Sequence, residues 1–182
     1  MPTVKTSITL LKAIANDTAT VRWSEFFYKY EPVMRNYLKA HYSSLDHDDI
    51  IQETMRALVE ALPNYQYTPD TNGHFGSYLI GILRHKALDQ LRKTKRTTEI
   101  NRIVSLARSA GIEDWKKAYE VLKFCVNNWE YELGSGTGLE FTSYGALVNK
   151  RAVCMGFSLA VCAIFKELGI PCKYICGTKN NE

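Results

Sequence analysis

Cys154 is the residue of this sequence whose type and position best suit nucleophilic chemistry. Apolar residues recur at helical spacing from Phe157 to Leu168, and Gly169 and Pro171 end the pattern, so a helix is predicted to begin near Cys154. A cysteine at that position meets the positive end of the helix dipole, which favours the nucleophilic thiolate. The sequence therefore predicts an activated thiol at the start of this helix.

The histidines that would serve such a thiol as a base lie far from it in the sequence. All five cysteines follow residue 120 and all four histidines precede residue 90, which suggests two segments of different origin. A general base would have to be His74 or His85, so catalysis by these 182 residues alone is not expected.

The other cysteines are predicted to be buried apolar fillers: Cys125, Cys162, Cys172 and Cys176. An odd number of cysteines in a chain without a secretory signal argues against a disulfide framework. No second ligand pair with zinc-type spacing accompanies Cys172 and Cys176. We therefore expect no metal and no cofactor.

Charged residues form two local patterns. Asp49, Glu53 and Glu60 recur at i, i+4 and i+11, which predicts an acidic helix face that is either solvated or a docking surface. The second pattern is a cluster of six basic residues within the thirteen positions 84–96, where Asp89 is the one acidic residue: Arg84, Lys86, Arg92, Lys93, Lys95 and Arg96. Such a cluster is typical of a helix that binds DNA phosphates or of a charged helix end, and the residue types alone leave both open.

Elements that position these residues follow from apolar spacing and from turn residues. Helices are predicted over 23–38, over 47–62 and from Phe75 to about residue 96, with a loop at 63–74. Tyr65, Tyr67, Phe75 and Tyr78 are candidates either for stacking on bases or for packing in the core.

The second half has its own pattern. Trp115, Ala118, Tyr119, Leu122, Val126 and Trp129 form an apolar stripe that predicts a helix over 113–129. A flexible break is predicted at 134–138, and a strand at 173–176.

Two ordered blocks of the first half resemble region 2 of the sigma-70 family of transcription factors, in the small extracytoplasmic-function type. The blocks are Asp46 to Met55 and Phe75 to Arg92, at the separation that the family has. The resemblance implies that an acidic helix docks on RNA polymerase, through Asp48, Asp49, Gln52 and Glu53. It also implies that the following helix contacts the promoter −10 element, through Arg84, His85, Lys86, Asp89, Arg92 and Lys93. The family usually has Asn at the position of His85.

A block around Cys154 resembles transglutaminase-like cysteine domains. It runs from Tyr144 to Ser158 and continues through residues 168–172, and the helix predicted over 113–129 fits the element that precedes it. The resemblance implies acyl transfer by a Cys-His-Asp triad with Cys154 as nucleophile. The histidine and aspartate of that triad normally lie on strands after the point that residue 182 reaches, so the domain is expected to be partial.

The expected fold class is mainly α. A three- to four-helix sigma region 2-like domain at 20–96 follows an extension at 1–19 and precedes an incomplete α+β, papain-like transglutaminase segment at 97–182. The expected function is a sigma-70-type transcription initiation factor with RNA polymerase core and promoter DNA as partners. The alternatives are a cysteine acyl-transfer or protease-like enzyme, and an inactive thiol interaction module.

Composition agrees with a folded chain. Hydrophobic residues make up 46% and charged residues 23% of the sequence, which excludes wholesale disorder. No stretch of about 18 uncharged apolar residues occurs, so a cytoplasmic protein without membrane contact is expected.

Overall fold

The chain divides into two compact units, Met1–Leu91 and Arg92–Glu182. The computed structural model describes residues 11, 14, 20–65, 75–132 and 136–176. These residues are mainly helical, and the sheet among them is one parallel pair of two-residue strands in the second unit. The mainly α fold class is therefore confirmed.

The first unit contains the predicted helices. They are α1 at Thr20–His41, α2 at His47–Ala61 with a 3-10 turn at Leu62–Asn64, and α3, which begins in this unit and spans Phe75–Ser109. The side chain of Asp46 caps α2 by accepting the backbone N–H groups of Asp48 and Asp49, at 3.0 and 3.1 Å. Such a cap satisfies donors that the first helical turn leaves open.

The core of the first unit joins all three helices. The rings of Phe26, Tyr30 and Phe75 meet at centroid distances of 4.6 to 5.8 Å. Other apolar residues at helical spacing are fully buried beside them: Met34, Leu38, Leu58, Leu79, Leu83 and Ala87. The apolar period therefore identified the inward faces of α1, α2 and the start of α3 correctly.

The second unit begins with the later turns of α3, which continues beyond its predicted end at residue 96. Its other elements are α4 at Asp114–Asn128, β1 at Glu130–Tyr131, a 3-10 turn at Leu139–Phe141, a π-helical turn at Gly145–Asn149, β2 at Arg151–Ala152 and α5 at Cys154–Leu168. Glu130 pairs with Arg151 and Tyr131 with Ala152 in the parallel ladder.

The core of the second unit is formed by α3, α4, α5 and the π-helical turn. Its buried residues are Ile100, Ile103, Val104, Ala107, Val121, Ala146, Leu147, Ala152, Ala160 and Ile164. Lys150, at the left-handed end of the π-helical turn with φ 61°, donates to Glu99 at 2.7 Å and to the carbonyl of Leu147. This half-buried ion pair ties the turn to α3.

Helix α5 ends as its sequence predicts. Gly169 adopts φ 75°, a conformation that glycine takes without strain, and its N–H bonds to the carbonyl of Lys166 at 3.2 Å. The N–H of Ile170 bonds to the carbonyl of Phe165 at 2.9 Å, which completes the cap.

Helix α4 occurs where the apolar stripe predicts it, yet the large residues of the stripe within the helix face solvent, whereas Trp129, directly after the helix, packs against the core. Trp115 is 66% exposed and Val126 is 82% exposed, with Tyr119 and Leu122 more than half exposed between them. The helix packs through Val121 and its neighbours Phe124 and Cys125 instead. The apolar period located the helix but not its buried side, because Val121, Phe124 and Cys125, which do not belong to the stripe, make the contacts with the core.

The strand predicted at 173–176 is wrong. Residues 171–176 have no regular secondary structure. A strand needs a hydrogen-bonded neighbour. In the described part of the chain β1 and β2 pair with each other, over two residues each, and neither pairs with residues 173–176. Within that same part, no helix combines the length and apolarity needed to cross a membrane.

Candidate functional site

The acidic face of α2 borders an open groove of about 770 Å³ in the first unit. Asp48, Asp49 and Gln52 line this groove together with apolar side chains: Trp23, Phe27, Ile51 and Met55. The structure therefore brings together three of the four residues implied to face polymerase. The fourth, Glu53, is not among the lining residues and pairs with Arg56 on the same helix.

Each carboxylate at the groove has an intramolecular partner. Arg35 of α1 donates to Asp48 at 2.6 Å and also binds Glu31. These hydrogen bonds, with Asp48 as the stronger partner, raise the pKa of Arg35. Gln90 donates to Asp49 at 3.1 Å, so residues of α1 and α3 both orient the acidic face of α2. Arg35 and Gln90 were not predicted as site residues, because neither spacing nor motif connects them to α2.

The six residues implied to contact DNA all lie on α3. Five of them are exposed: Arg84, His85, Asp89, Arg92 and Lys93. Lys86 is half-buried. Their exposure is compatible with contact to a large partner.

The aromatic candidates belong mainly to the core. Phe75 is fully buried, and Tyr65 stacks on Tyr78 with ring centroids 4.3 Å apart and planes at 25°. Both tyrosines also contact Phe75. Tyr67 and His74 lie outside the described residues.

Cys154 is exposed and is the first residue of α5. The N–H of Val153, which precedes it, donates to the carbonyl oxygen of Glu140 at 3.0 Å and fixes the entry of the chain into the helix. Tyr174 lies nearby. A hydrogen bond with Cys176, followed by burial and the negative charges of Cys176 and Cys154, raises the pKa of Tyr174.

Close backbone packing supports the turn that carries Cys154. A Cβ atom on Gly156 would lie 2.5 Å from the carbonyl oxygen of Glu140 and 2.9 Å from that of Thr142, so only glycine fits. Glu140 is itself 4% exposed, and its carboxylate accepts a hydrogen bond from Thr137 at 3.1 Å. Glu140 was not predicted as a site residue, although the i, i+3 spacing of Thr137 and Glu140 is a local signal for this bond.

The other cysteines differ in their surroundings. Cys125 was predicted to be buried and is half-buried, and burial raises its pKa to about 12. Cys162 is also half-buried. Cys172 and Cys176 are exposed, so the prediction of buried fillers is wrong for these two. They follow the end of α5, and among the described residues no strand pairs with this segment to cover them.

Geometry thus defines a helical unit with an acidic groove and a unit with a cysteine at a helix N-terminus. Residues 26–97 match the family model of Sigma-70 region 2, and residues 112–182 match that of the transglutaminase-like superfamily. Both resemblances are confirmed, and Sigma-70 region 2 is in general a domain that binds the RNA polymerase core. Searches of curated proteins and of solved structures returned no match.

Proposed function

We propose that the chain is a sigma-70-type transcription initiation factor whose domain at 20–96 binds the RNA polymerase core and the promoter −10 element. The observation that carries this proposal is the groove beside α2. It combines exposed carboxylates with apolar side chains, and most of its lining residues, from Phe27 to Met55, lie within the range that matches Sigma-70 region 2. In this proposal residues 97–182 form a partial transglutaminase-like domain.

The composition of the groove suits a basic amphipathic partner. Ile51 and Met55 supply apolar surface, and Asp48 and Asp49 supply negative charge at its border. Protein interfaces commonly combine an apolar centre with a polar rim, and charge complementarity steers the partner. A polymerase surface with basic side chains around apolar ones would fit this groove.

The internal partners of the carboxylates leave them available for binding. The side chain of Asp48 is 80% exposed although it pairs with Arg35. Exposed ion pairs contribute little to stability and exchange readily with other charges. A basic partner would therefore replace or share the Arg35 contact, and Gln52 and Glu53 would extend the contact along α2.

The DNA-facing part of the proposal rests on α3. Arg84, Arg92 and Lys93 are exposed, and cations on a helix neutralise phosphates and release counterions. His85, Lys86 and Asp89 are the remaining residues proposed to lie against the −10 element. Opening a duplex costs a few kcal/mol for each base taken out of the stack, which cationic phosphate contacts offset.

Charge reversal tests the polymerase-facing groove. We expect Asp49→Lys to weaken binding of the full chain to the RNA polymerase core by about tenfold or more, equivalent to about 1.4 kcal/mol, because it places like charges across the interface. Glu60→Lys is the matched control, since Glu60 is exposed on the same helix and is not among the lining residues of the groove.

Binding is measured by titration of labelled chain with core enzyme, and circular dichroism checks the helix content of each variant. Equal affinity of both variants and the parent chain would mean that the acidic face is only solvated.

Cysteine acyl transfer is the second candidate function, and the exposed position of Cys154 at the start of α5 favours it. The thiolate would attack an amide carbonyl, with a histidine as base and acid. Residues 97–182 contain no histidine, so the base would have to come from elsewhere. An inactive thiol interaction module is the remaining alternative, and it has no residue of its own to support it.

A further inference from the structure

Cys162 and Cys172 are neighbours in the second unit although nine residues separate them in the sequence. The cap at Gly169 reverses the chain after α5, so that Sγ of Cys172 reaches back to the carbonyl oxygen of Cys162 at 3.6 Å. The two thiols are close enough to interact, and this contact contributes to the raised pKa of Cys162.

Both thiols are accessible from one side. They line an open cavity of about 390 Å³ together with Lys166 and Tyr174. Cys172 is exposed and Cys162 is half-buried, so a reagent that enters the cavity meets Cys172 first. The Lys166 ammonium attracts anionic reagents to the same place.

The surroundings of the two thiols suit different steps of a thiol–disulfide exchange reaction. Burial, and then the hydrogen bond and charge of Cys172, raise the pKa of the Cys162 thiol. A thiol with a raised pKa reacts slowly with a free reagent, yet it can attack a sulfur that is already held beside it. Cys172 is therefore the entry point and Cys162 the resolving thiol.

We propose that Cys162 and Cys172 form a reversible redox pair, which closes to an intramolecular disulfide by exchange with a low-molecular-weight disulfide such as oxidised glutathione. The Cys172 thiolate first bonds to one glutathione sulfur, and the other sulfur leaves as a thiolate that takes the proton from Cys172. The Cys162 thiolate then attacks the Cys172 sulfur, the mixed disulfide breaks, and the second glutathione leaves with the proton from Cys162. The protein loses two protons and two electrons, and one oxidised glutathione takes them up and becomes two reduced molecules.

The proposal is independent of the function proposed above, and it distinguishes this pair from the remaining cysteines. Burial raises the pKa of Cys125 to about 12, which disfavours exchange at that thiol. A disulfide between Cys162 and Cys172 would join the segment after α5 to the helix itself.

Peptide mapping of the full chain tests the pair. The reduced chain is equilibrated with oxidised and reduced glutathione at several ratios, quenched, alkylated and digested with trypsin. Cleavage after Arg151, Lys166 and Lys173 places Cys162 on peptide 152–166 and Cys172 on peptide 167–173. We expect these two peptides to appear linked as the ratio becomes oxidising, with loss of two alkylation sites and full reversal by dithiothreitol.

Two matched variants identify the sulfur on peptide 152–166, since that peptide also contains Cys154. Cys162→Ser should abolish the linked peptide and Cys154→Ser should retain it, with circular dichroism as the check that each variant keeps its helices. A link that survives in Cys162→Ser would overturn the proposal. So would alkylation of all five cysteines at the most oxidising ratio, or a glutathione adduct on Cys172 that never resolves.

Discussion

Gly156 offers a direct test of how tightly the turn before Cys154 is packed. Replacement by Ala would place Cβ 2.5 Å from the carbonyl oxygen of Glu140, 2.8 Å from Cβ of Ala152 and 2.9 Å from the carbonyl oxygen of Thr142. Ordinary contact distances are about 3.5 Å or more, so all three neighbours would have to move. Two of them are backbone oxygens, which no side-chain rotation can displace.

The change that Gly156→Ala causes in the free energy of unfolding is the sum of two opposing effects. Overpacking costs about 1 to 3 kcal/mol, and the rigid backbone neighbours place Gly156→Ala at the upper end of this range. Alanine in a helix gains about 1 kcal/mol over glycine. The net destabilisation of the second unit is therefore about 2 kcal/mol, which lowers its Tm by roughly 8 to 16 °C.

Gly81→Ala is the matched control. Gly81 also lies inside a helix, α3, but no atom lies within 4 Å of the position that a Cβ would take there, so the substitution should stabilise by up to about 1 kcal/mol. Thermal and urea unfolding followed by circular dichroism and tryptophan fluorescence measure both variants. A Gly156→Ala chain as stable as the parent would refute the packing argument.

Further predictions concern the other charged and nucleophilic residues. Replacing Arg92 and Lys93 by Ala should weaken DNA binding of the polymerase complex for all sequences and reduce the salt slope by up to about 2, as fluorescence anisotropy would show. Burial opposes ionisation of Glu99, yet hydrogen bonds from Lys150 and Arg102 and their charges lower its pKa overall. The contribution of Glu99 to the free energy of unfolding is therefore full above its unfolded pKa of about 4.3, and it is lost as pH falls through the lower pKa of the folded state. Glu99→Gln should accordingly lower the urea midpoint at neutral pH but not in strong acid. Cys154 should react with iodoacetamide faster than the other four cysteines, as peptide mapping would show. A glutamine-donor assay should nevertheless detect no amine incorporation above that of a Cys154→Ala control. If the chain has activity that this control loses, the order of the two proposed functions is reversed.

The sequence was sufficient to locate the helices because local signals determine them. Apolar spacing and the Gly169 end each act within a few residues, and the structure has them where they were predicted. The extension of α3 beyond residue 96 was not predicted, although Ile100, Ile103, Val104 and Ala107 keep the helical period that the buried face requires.

Features that depend on distant partners were not predictable in the same way. The buried side of α4 depends on which elements pack against Val121, and Arg35 reaches Asp48 across thirteen positions of the chain. Neither contact has a local pattern. The approach of Cys172 to Cys162 likewise requires the observed reversal of the chain after α5.

The exposed apolar face of α4 affects how the protein should behave during purification. Trp115 and Tyr119 each have a lysine ammonium over the ring, from Lys116 and Lys123, at 5.4 and 5.9 Å from the centroids. Sulfate salts strengthen apolar association because they are excluded from protein surfaces. The chain should therefore bind a phenyl matrix at moderate ammonium sulfate and elute as the salt falls, with Val126→Lys eluting earlier than the parent chain.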